Sequence, residues 1–226
     1  MSVTIGFDVY GTLINPHGVI TELETFCGDE ASAFSRLWRE KQLEYSFRRA
    51  LMQNYEPFSV CTRQALDYAD EVFQIRLRPE DKDALMATYA TLPAFEDAKD
   101  GLEQAREAGF RLFAFSNGSA DALESLLSHA GLRDYFMGVV SVDGMKSFKP
   151  NPGVYSYFLR QAGATGAEAW LVSSNPFDVI GAMSSGMRAA WVQRSPDAIF
   201  DPWGMTPTIT INSLRALADA IGTARP

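Results

Sequence analysis

The chain has 226 residues, of which 46% are apolar and 21% charged, and 20 Lys and Arg against 28 Asp and Glu give a net charge of −8. This composition indicates a globular protein with a substantial core and excludes a disordered chain. The acidic balance, with no tract of Lys or Arg, argues against a nucleic-acid partner, and no apolar run reaches the roughly 18–20 residues of a membrane span. The start, Met1-Ser2-Val3-Thr4-Ile5, lacks the basic region and cleavage signature of an export signal, so we expect a cytoplasmic protein.

Six short apolar segments are predicted strands, because each is bounded by Gly, Pro, Ser or Asn and most are separated by helical patterns. They are residues 3–7, 110–115, 137–141, 169–173, 189–192 and 208–211. Strands that alternate with helices form parallel sheets covered by helices. The sequence therefore predicts an α/β protein with a doubly wound, Rossmann-like parallel sheet.

The segment from about residue 19 to residue 90 shows helical periodicity and no strand pattern. Pro79, followed by Glu80 and Asp81, is typical of a helix start. Apolar and long side chains recur there at spacings of three and four residues: Phe34, Leu37, Trp38, Lys41, Leu43 and Tyr45, then Leu66, Ala69, Val72 and Phe73. We expect residues 16–92 to form a helical cap subdomain, and residues 1–15 and 93–226 to form the α/β core, with Pro93 at the return point.

Polar residues follow four of the predicted strands, at the sheet edge where ligands bind in open α/β folds. Asp8 comes first, followed along the chain by the pair Ser116 and Asn117, then Lys149, then Asp178. A carboxylate after a strand can be a nucleophile, a metal ligand or a helix cap, and a Lys is the natural counter-ion of a partly desolvated one. Ser116 and Asn117 can orient an anion, or they can form an ordinary turn.

Neither the cysteines nor the histidines predict a metal site. Cys27 and Cys61 match no metal-ligand spacing and provide no disulfide framework, so we expect two reduced thiols that pack in the interior. His17 lies beside Pro16 in a predicted turn, and His129 lies on a predicted helix. We expect no metal and no cofactor.

The residues after these strands resemble, in order along the whole chain, the motifs of the haloacid dehalogenase-like superfamily. The matching segments are Phe7-Asp8-Val9-Tyr10-Gly11-Thr12-Leu13, Phe115-Ser116-Asn117-Gly118, Lys149-Pro150 and Ser173-Ser174-Asn175-Pro176-Phe177-Asp178. The resemblance implies that Asp8 is a nucleophile.

Two departures from the phosphatases of this superfamily indicate the reaction. Those enzymes carry a second Asp two residues after the nucleophile, where this chain has Tyr10, and a phenol of pKa about 10 is a poor substitute acid. In the last motif Ser174 and Asn175 precede a single Asp178, which leaves less charge to hold Mg²⁺. A departing halide needs neither a proton nor a metal, so this pattern favours cleavage of a carbon–halogen bond.

Residues 38–45 resemble the cap-helix motif of the dehalogenases specific for (S)-2-haloacids. The resemblance implies that the halide is received by Arg39, Asn117 and Phe177. It also implies that Phe58 forms an apolar wall of the substrate pocket, that Tyr155 lies close to Lys149, and that the protein is a homodimer. From the residues alone, Arg39 is typical of a solvated helix face and Phe58 of a core aromatic.

The predicted reaction is a two-step hydrolysis of a short-chain (S)-2-haloacid to a 2-hydroxy acid with inversion. Asp8 attacks C2 while the halide departs, and water then attacks the Asp8 ester. We expect the substrate carboxylate to be held by the Ser116 region and by the backbone N–H groups near Val9 and Tyr10. We expect Asp178 to orient or deprotonate the water, and Ser173 and Asn175 to position Asp178. Lys149 is expected to offset the negative charge of Asp8, and Thr12 to hold the Asp8 carboxylate by a hydrogen bond.

Three other functions remain open from the sequence. A hydrolase that opens azetidine-2-carboxylate shares the Asp-x-Tyr-Gly-Thr start, and residues 38–45 favour dehalogenation over it. A weak phosphatase of the same superfamily is the second alternative. The third is a binding protein that has kept the fold, against which the set Asp8, Lys149 and Asp178 argues because unused buried charges are costly.

Overall fold

A computed structural model describes residues 3–224 and places six parallel strands in one sheet. Met1 and Ser2, on which the export prediction partly rests, and Arg225 and Pro226, in the predicted core, lie outside the described residues. The strands are β1 (Thr4–Phe7), β2 (Arg111–Ser116), β3 (Gly138–Ser141), β4 (Ala169–Ser173), β5 (Arg188–Val192) and β6 (Ile209–Ile211). The predicted sheet is thus confirmed, with every strand end within one residue of its predicted position.

Nine α-helices occur within residues 3–224. They are α1 (Ile20–Cys27), α2 (Ala31–Met52), α3 (Phe58–Phe73), α4 (Pro79–Tyr89), α5 (Ala98–Glu107), α6 (Ala120–His129), α7 (Pro152–Ala162), α8 (Pro176–Ser184) and α9 (Leu217–Thr223). Short 3₁₀ turns connect several of them, at Pro16–Val19, Gly28–Glu30, Arg133–Tyr135, Val142–Met145, Gly166–Glu168 and Leu214–Ala216. In the part of the chain described, no helix combines the length and the apolar character needed to cross a bilayer.

The strand order β3-β2-β1-β4-β5-β6 puts β1 at the point where the chain changes direction across the sheet. Phe7, the last residue of β1, pairs with Ala114 of β2 on one side and Val172 of β4 on the other. Because all three strands run parallel, the segments that follow them emerge side by side, which is where α/β folds bind ligands. The fold therefore brings the polar residues after β1, β2 and β4 together.

The sheet is covered by helices, as a parallel sheet requires. Helix α5 packs against β2 and α9, and α8 packs against β4, β5 and α7. All four residues of β1 and all five of β4 are buried. At Gly6 the sheet and α7 approach so closely that a Cβ atom would lie 2.7 Å from Cζ of Phe158. This close packing against α7 fixes the position of β1, and so of the residues that follow it.

Helices α1 to α4 form the insert between β1 and β2, and α4 begins at Pro79 as predicted. The long helix α2 packs along α3, where the indole Nε1 of Trp38 donates to the backbone oxygen of Thr62 at 2.8 Å. The segment that leaves the core and the segment that returns to it lie side by side. The backbone N–H of Asn15 donates to the carbonyl oxygen of Pro93 at 2.9 Å. An antiparallel bridge joins Ile14 to Ala94. On this basis we propose the division into a cap at 16–92 and a core formed by the rest.

Candidate active site

The carboxylate of Asp8 lies directly after β1 and has four hydrogen-bond donors around it. Its Oδ2 accepts from Thr12 Oγ1 at 3.0 Å, Ser173 Oγ at 3.1 Å and Asn175 Nδ2 at 2.7 Å. Its Oδ1 accepts from Lys149 Nζ at 3.2 Å. Asp8 is only 6% exposed, so these donors replace the water that an ionised carboxylate would otherwise need. The arrangement fixes one oxygen firmly and leaves the other with a single partner.

A tight turn brings Thr12 back to Asp8. Gly11 has a φ of +90°, a conformation open to glycine at little cost, and its N–H donates to Ile14 O at 2.8 Å. A Cβ at this position would lie 3.2 Å from Ser174 Oγ, which itself donates to the Gly11 carbonyl oxygen at 2.7 Å. The backbone N–H of Ser174 in turn donates to Thr12 Oγ1 at 2.9 Å. The loops after β1 and β4 therefore hold each other in place.

Lys149 is a buried cation with all three of its ammonium protons engaged. Its Nζ donates to Asp8 Oδ1, to Asp178 Oδ2 at 2.8 Å and to the backbone oxygen of Phe115 at 2.8 Å. The residue is 1% exposed. Two carboxylates and one carbonyl thus surround one ammonium, which is the pairing a charge needs in the interior.

Asp178 lies behind Lys149, in the first turn of α8, and is fully buried. Its Oδ1 accepts from the Tyr155 hydroxyl at 2.8 Å. Burial is the main cause that raises the pKa of Asp178, and the nearby charge of Asp8 adds to it. Against the opposing effects of Lys149 and the Tyr155 hydroxyl, the result is a pKa of about 6. Burial also raises the pKa of Tyr155 well above its ordinary value, so Tyr155 acts as a donor.

The loop after β2 presents Ser116 and Asn117. Ser116 Oγ accepts from the Gly118 N–H at 3.4 Å, and Asn117 Oδ1 accepts from the Lys149 N–H at 2.9 Å. With its oxygen engaged, Asn117 has its NH₂ group left to donate. Across from it, the backbone N–H groups of Val9 and Tyr10 donate to no protein acceptor among the described residues. These groups can bind an anion.

The insert contributes Arg39 from α2. Its Nη2 donates to Tyr10 O at 3.2 Å and its Nη1 to Gln42 Oε1 at 2.6 Å. Gln42 is fully buried; its Oε1 also accepts from the Tyr89 hydroxyl at 3.1 Å, and its Nε2 donates to Thr62 Oγ1 at 2.6 Å. A chain of hydrogen bonds inside the insert thus holds the guanidinium over the core.

These groups surround a small cavity between the insert and the strand ends. Its walls are formed by Asp8, Tyr10, Arg39, Leu43, Phe58, Ser116, Asn117, Lys149, Asn175 and Phe177. Phe177 is held by an edge contact with Phe47, with ring centres 4.9 Å apart. The cavity combines two cations, one carboxylate and amide donors with aromatic walls, which suits a small anion with an apolar part.

Comparison with known proteins agrees with this geometry. A model of the haloacid dehalogenase-like hydrolase family matches residues 3–186. The (S)-2-haloacid dehalogenase of Pseudomonas sp. (strain YL) is 34% identical over 220 residues, which are 97% of this chain and 94% of the relative. This chain belongs to the haloacid dehalogenase-like hydrolase family. The family predicted from the four motifs is confirmed, and so is the prediction that the chain is a hydrolase.

Two further relatives of this haloacid dehalogenase-like hydrolase are similar over nearly the whole chain. The haloacetate dehalogenase H-2 of Moraxella sp. (strain B) is 34% identical, covering 96% of both chains. The structure of an L-2-haloacid dehalogenase from Xanthobacter autotrophicus with chloropropionic acid covalently bound is 30% identical, with a TM-score of 0.89. That match covers 98% of this chain and 99% of the other.

The structure of this hydrolase brings together the residues that the sequence singled out, in two layers. Nine of them line the cavity. The other five lie behind the lining. Thr12 and Ser173 bond to Asp8, Asp178 bonds to Lys149, and Val9 offers only its backbone, while Tyr155 is linked to the lining through Asp178. The sequence analysis missed Leu43 as a cavity wall, and it missed Gln42 and Tyr89 as partners around Arg39. Gln42 lies three residues after Arg39, a helical spacing that could have indicated the contact; nothing in the sequence indicated Tyr89.

The cysteines and histidines of this hydrolase lie outside the cavity lining. Cys27 and Cys61 are free thiols, the second buried. His17 Nδ1 lies 2.8 Å from Ser35 Oγ, and burial lowers the pKa of its imidazole. Within residues 3–224, no three or more His, Cys, Asp or Glu side chains are grouped so that they could hold a metal ion.

Proposed function

We propose that this protein hydrolyses short-chain (S)-2-haloacids to 2-hydroxy acids with inversion, through an ester on Asp8 and without a metal or cofactor. One observation carries the proposal: the buried Asp8 carboxylate lies between Lys149 and three neutral donors, at the wall of a small cavity that Arg39 also lines. The names of the similar proteins support the same substrate class. Lys149 supplies the positive charge beside the nucleophile that a metal would otherwise provide.

In the first step, Oδ1 of Asp8 attacks C2 of the substrate, and the carbon–halogen bond breaks with its electron pair leaving on the halide. Oδ1 is the attacking oxygen because Oδ2 already accepts three hydrogen bonds. In-line displacement inverts C2. The halide is received by Arg39, by the NH₂ of Asn117 and by the positive ring edge of Phe177. The substrate carboxylate binds the backbone N–H groups of Val9 and Tyr10 and the Ser116 region, and Phe58 packs on its alkyl part.

In the second step, water attacks the carbonyl carbon of the Asp8 ester and gives up a proton. The acyl carbon–oxygen bond then breaks, and the departing alkoxide oxygen takes up that proton to leave as the 2-hydroxy acid. We assign acceptance of the water proton to Asp178, whose pKa of about 6 suits a general base near neutral pH. Asp178 is fully buried and does not line the cavity, so this water must reach the side of Asp8 that faces Lys149. Thr12, Ser173 and Asn175 hold Oδ2 of the ester region in place through both steps.

A single turnover of (S)-2-chloropropionate in H₂¹⁸O tests the intermediate. Because water attacks the ester carbonyl, the label should enter the Asp8 carboxylate, detected by peptide mass spectrometry, before it appears in lactate. The same reaction with EDTA present should release chloride at an unchanged rate. Labelled lactate from unlabelled enzyme would instead mean direct attack of water on C2.

The variant Asp178→Asn tests the second step separately. It should form the ester and release one equivalent of halide per enzyme, then stall, because the proton acceptor for water is missing. Trapped ester at Asp8 can be measured as an added mass on the intact protein. If Asp178→Asn slowed the first release of halide as much as the release of 2-hydroxy acid, Asp178 would not act in the second step alone, and the assigned role would be wrong.

Two further predictions stay proposals. Leu51, Met52, Tyr68 and Val72 are exposed apolar side chains on α2 and α3 that a second copy of the chain would cover, which supports a homodimer. Sedimentation equilibrium at micromolar protein tests it. We also keep the expectation of a cytoplasmic location.

A further inference from the structure

A second cavity lies beside the catalytic one, also between the insert and the core, with a volume of about 110 Å³. Its outer rim consists of exposed residues: Pro57, Ser59, Ala90, Ser119 and Ala122. Its inner end consists of buried ones: Tyr10, Phe58, Thr62, Tyr89 and Gly118. The cavity therefore leads from the protein surface inward, and we name it the outer cavity.

Tyr10 and Phe58 line both the outer cavity and the catalytic cavity. Their ring centres are 6.2 Å apart, and the two residues are 9% and 6% exposed. The two rings thus form the partition between the cavities. On the catalytic side, Asp8, Asn117 and Lys149 are nearly inaccessible to solvent. A substrate can reach them only after some part of the wall moves.

The chemistry of the outer cavity fits a small carboxylate with an apolar tail. Helix α3 begins at its rim, at Phe58 after Pro57, and helix α6 begins there at Ala120, after Ser119. Both helix N-termini carry partial positive charge, which attracts an anion. Phe58, Met86 and Tyr89 supply apolar and aromatic surface for an alkyl group.

We propose that the outer cavity is the passage by which the 2-halocarboxylate reaches Asp8 and the 2-hydroxy acid leaves, with the rings of Tyr10 and Phe58 as its inner gate. The identity of the carboxylate rests on the proposed function. Phe58 is the first residue of α3, so its ring can swing without disturbing the body of that helix. Each ring has a further aromatic neighbour at 5.9 Å between ring centres, Tyr89 for Tyr10 and Phe148 for Phe58. Tyr10 is held more tightly, since its carbonyl oxygen also accepts hydrogen bonds from Arg39 and Asn175. The moving part of the gate is therefore Phe58.

The variant Ala122→Trp tests the passage by narrowing its exposed rim. Ser128→Trp, at an exposed position more than one turn further along the same helix and outside the lining, is the matched control. The probe is propionate, which has no halogen to lose, and its association and dissociation rates are measured by NMR exchange. A narrowed passage raises the barrier in both directions without changing either end state. Both rates should fall about tenfold in Ala122→Trp, an effect of about 1.4 kcal/mol on the barrier, with an unchanged Kd and wild-type rates in the control.

Unchanged exchange rates in Ala122→Trp would overturn the proposal, and so would a changed Kd, which would mean that the position contacts bound ligand. Thermal unfolding reports whether the variant folds. If it does not, the design is repeated with Ala90→Trp, at the residue that follows α4, and with Ala87→Trp on α4 as the control. Because propionate exchange needs no chemistry, the result stands apart from halide release: an enzyme inactive on 2-haloacids would refute the proposed function and leave the passage test intact.

Discussion

The hydroxyl of Tyr155 donates to Oδ1 of Asp178 across 2.8 Å, in a part of the core where both residues are fully buried. This bond favours the ionised carboxylate, whereas burial and the charge of Asp8 favour the neutral acid. The balance sets the pKa of the group that we assign to water activation. It also gives the proposal a pH dependence that can be measured.

The wild-type rate should fall as the pH falls through about 6, because Asp178 must be ionised to accept a proton. Tyr155→Phe removes a donor to the ionised form, so the pKa of Asp178 should rise and the acid limb of kcat should move to higher pH. The ratio of variant to wild-type kcat should therefore be lower at pH 6 than at pH 8. Tyr157→Phe, on the same helix, is the control. A uniform loss at all pH values would mean that Tyr155 only fills space.

Gln42 should act as a positioning residue for Arg39. Gln42→Met keeps the size of the side chain and removes the acceptor for Arg39 Nη1, so the guanidinium loses one of its two anchors. We expect kcat for 2-chloropropionate to fall about tenfold, the scale of a misplaced catalytic group. The fall should be smaller for 2-bromopropionate, because bromide leaves more easily and needs less help.

The control for Gln42 is Gln64→Met, an exposed position on α3 whose amide bonds to Arg49. It should behave as wild type with both substrates. Equal losses for the chloro and bromo substrates in Gln42→Met would contradict a role through Arg39 and would point to a general loosening of the insert.

Asp97 should stabilise the fold near the active site. Its carboxylate accepts from Arg194 Nη1 at 2.8 Å and from the Leu214 N–H at 2.8 Å, and Arg194 also donates to the carbonyl oxygen of Thr12. Asp97→Ala leaves the Arg194 charge without its partner, so the free energy of unfolding should fall by about 3–5 kcal/mol in urea denaturation. Asp100→Ala, which removes a solvent-exposed partner of Arg215, should lower the free energy of unfolding far less.

The Asp97 effect should also depend on pH. Burial would raise the pKa of Asp97, but the bonds from Leu214, Arg194 and Ser213 outweigh it and hold the pKa below the ordinary value of 3.8. A carboxyl whose folded pKa is lowered stabilises the fold above its unfolded pKa and loses that effect as the pH falls through the folded value. The difference between wild type and Asp97→Ala should shrink below pH 3.8. A difference that stays constant into acid would contradict this assignment.

Gly11 should matter for activity as well as for stability. Gly11→Ala forces an L side chain to adopt a φ of +90° and places its Cβ 3.2 Å from Ser174 Oγ, which must shift. Gly131→Ala, with a φ of +67° and open space around its Cβ, carries the backbone cost alone. Both should lose about 1 kcal/mol of unfolding free energy. In Gly11→Ala kcat should also fall about tenfold, because Thr12 and Ser174 hold the nucleophile in place; equal activity in both variants would refute this.

The sheet could be predicted because parallel strands are short apolar runs that end abruptly in polar residues. The segment ending at Ser173 shows this most clearly, with observed bounds equal to those predicted. The part of the site that the core contributes could be predicted as well, since Asp8 and Asn117 come directly after a strand and Asn175 comes two residues after one. Their meeting depends on the strand order, which the sequence analysis did not predict and which the structure shows to be β3-β2-β1-β4-β5-β6.

What the sequence could not predict lies mostly between the insert and the core. Gln42 and Tyr89 are 47 residues apart and meet only because α2 and α4 fold over the same strand ends. The sequence also did not show that Asp178 lies behind Lys149 and outside the cavity lining. The type of a residue at a strand end does not indicate whether its side chain lines a cavity or supports the residues that do. The outer cavity is a gap between the insert and the core, and its existence cannot be predicted from the types of the residues that line it.

The place of β1 in the sheet has a consequence for how the protein is made. Asp8 leaves the ribosome well before its donors, because Ser173 and Asn175 follow it by 165 and 167 residues. Until β4 has been synthesised and has paired with β1, a nascent chain has one edge of β1 exposed, and the Asp8 carboxylate can reach at most Thr12 and Lys149 among its four donors. The complete set of donors therefore forms only after most of the chain has been translated.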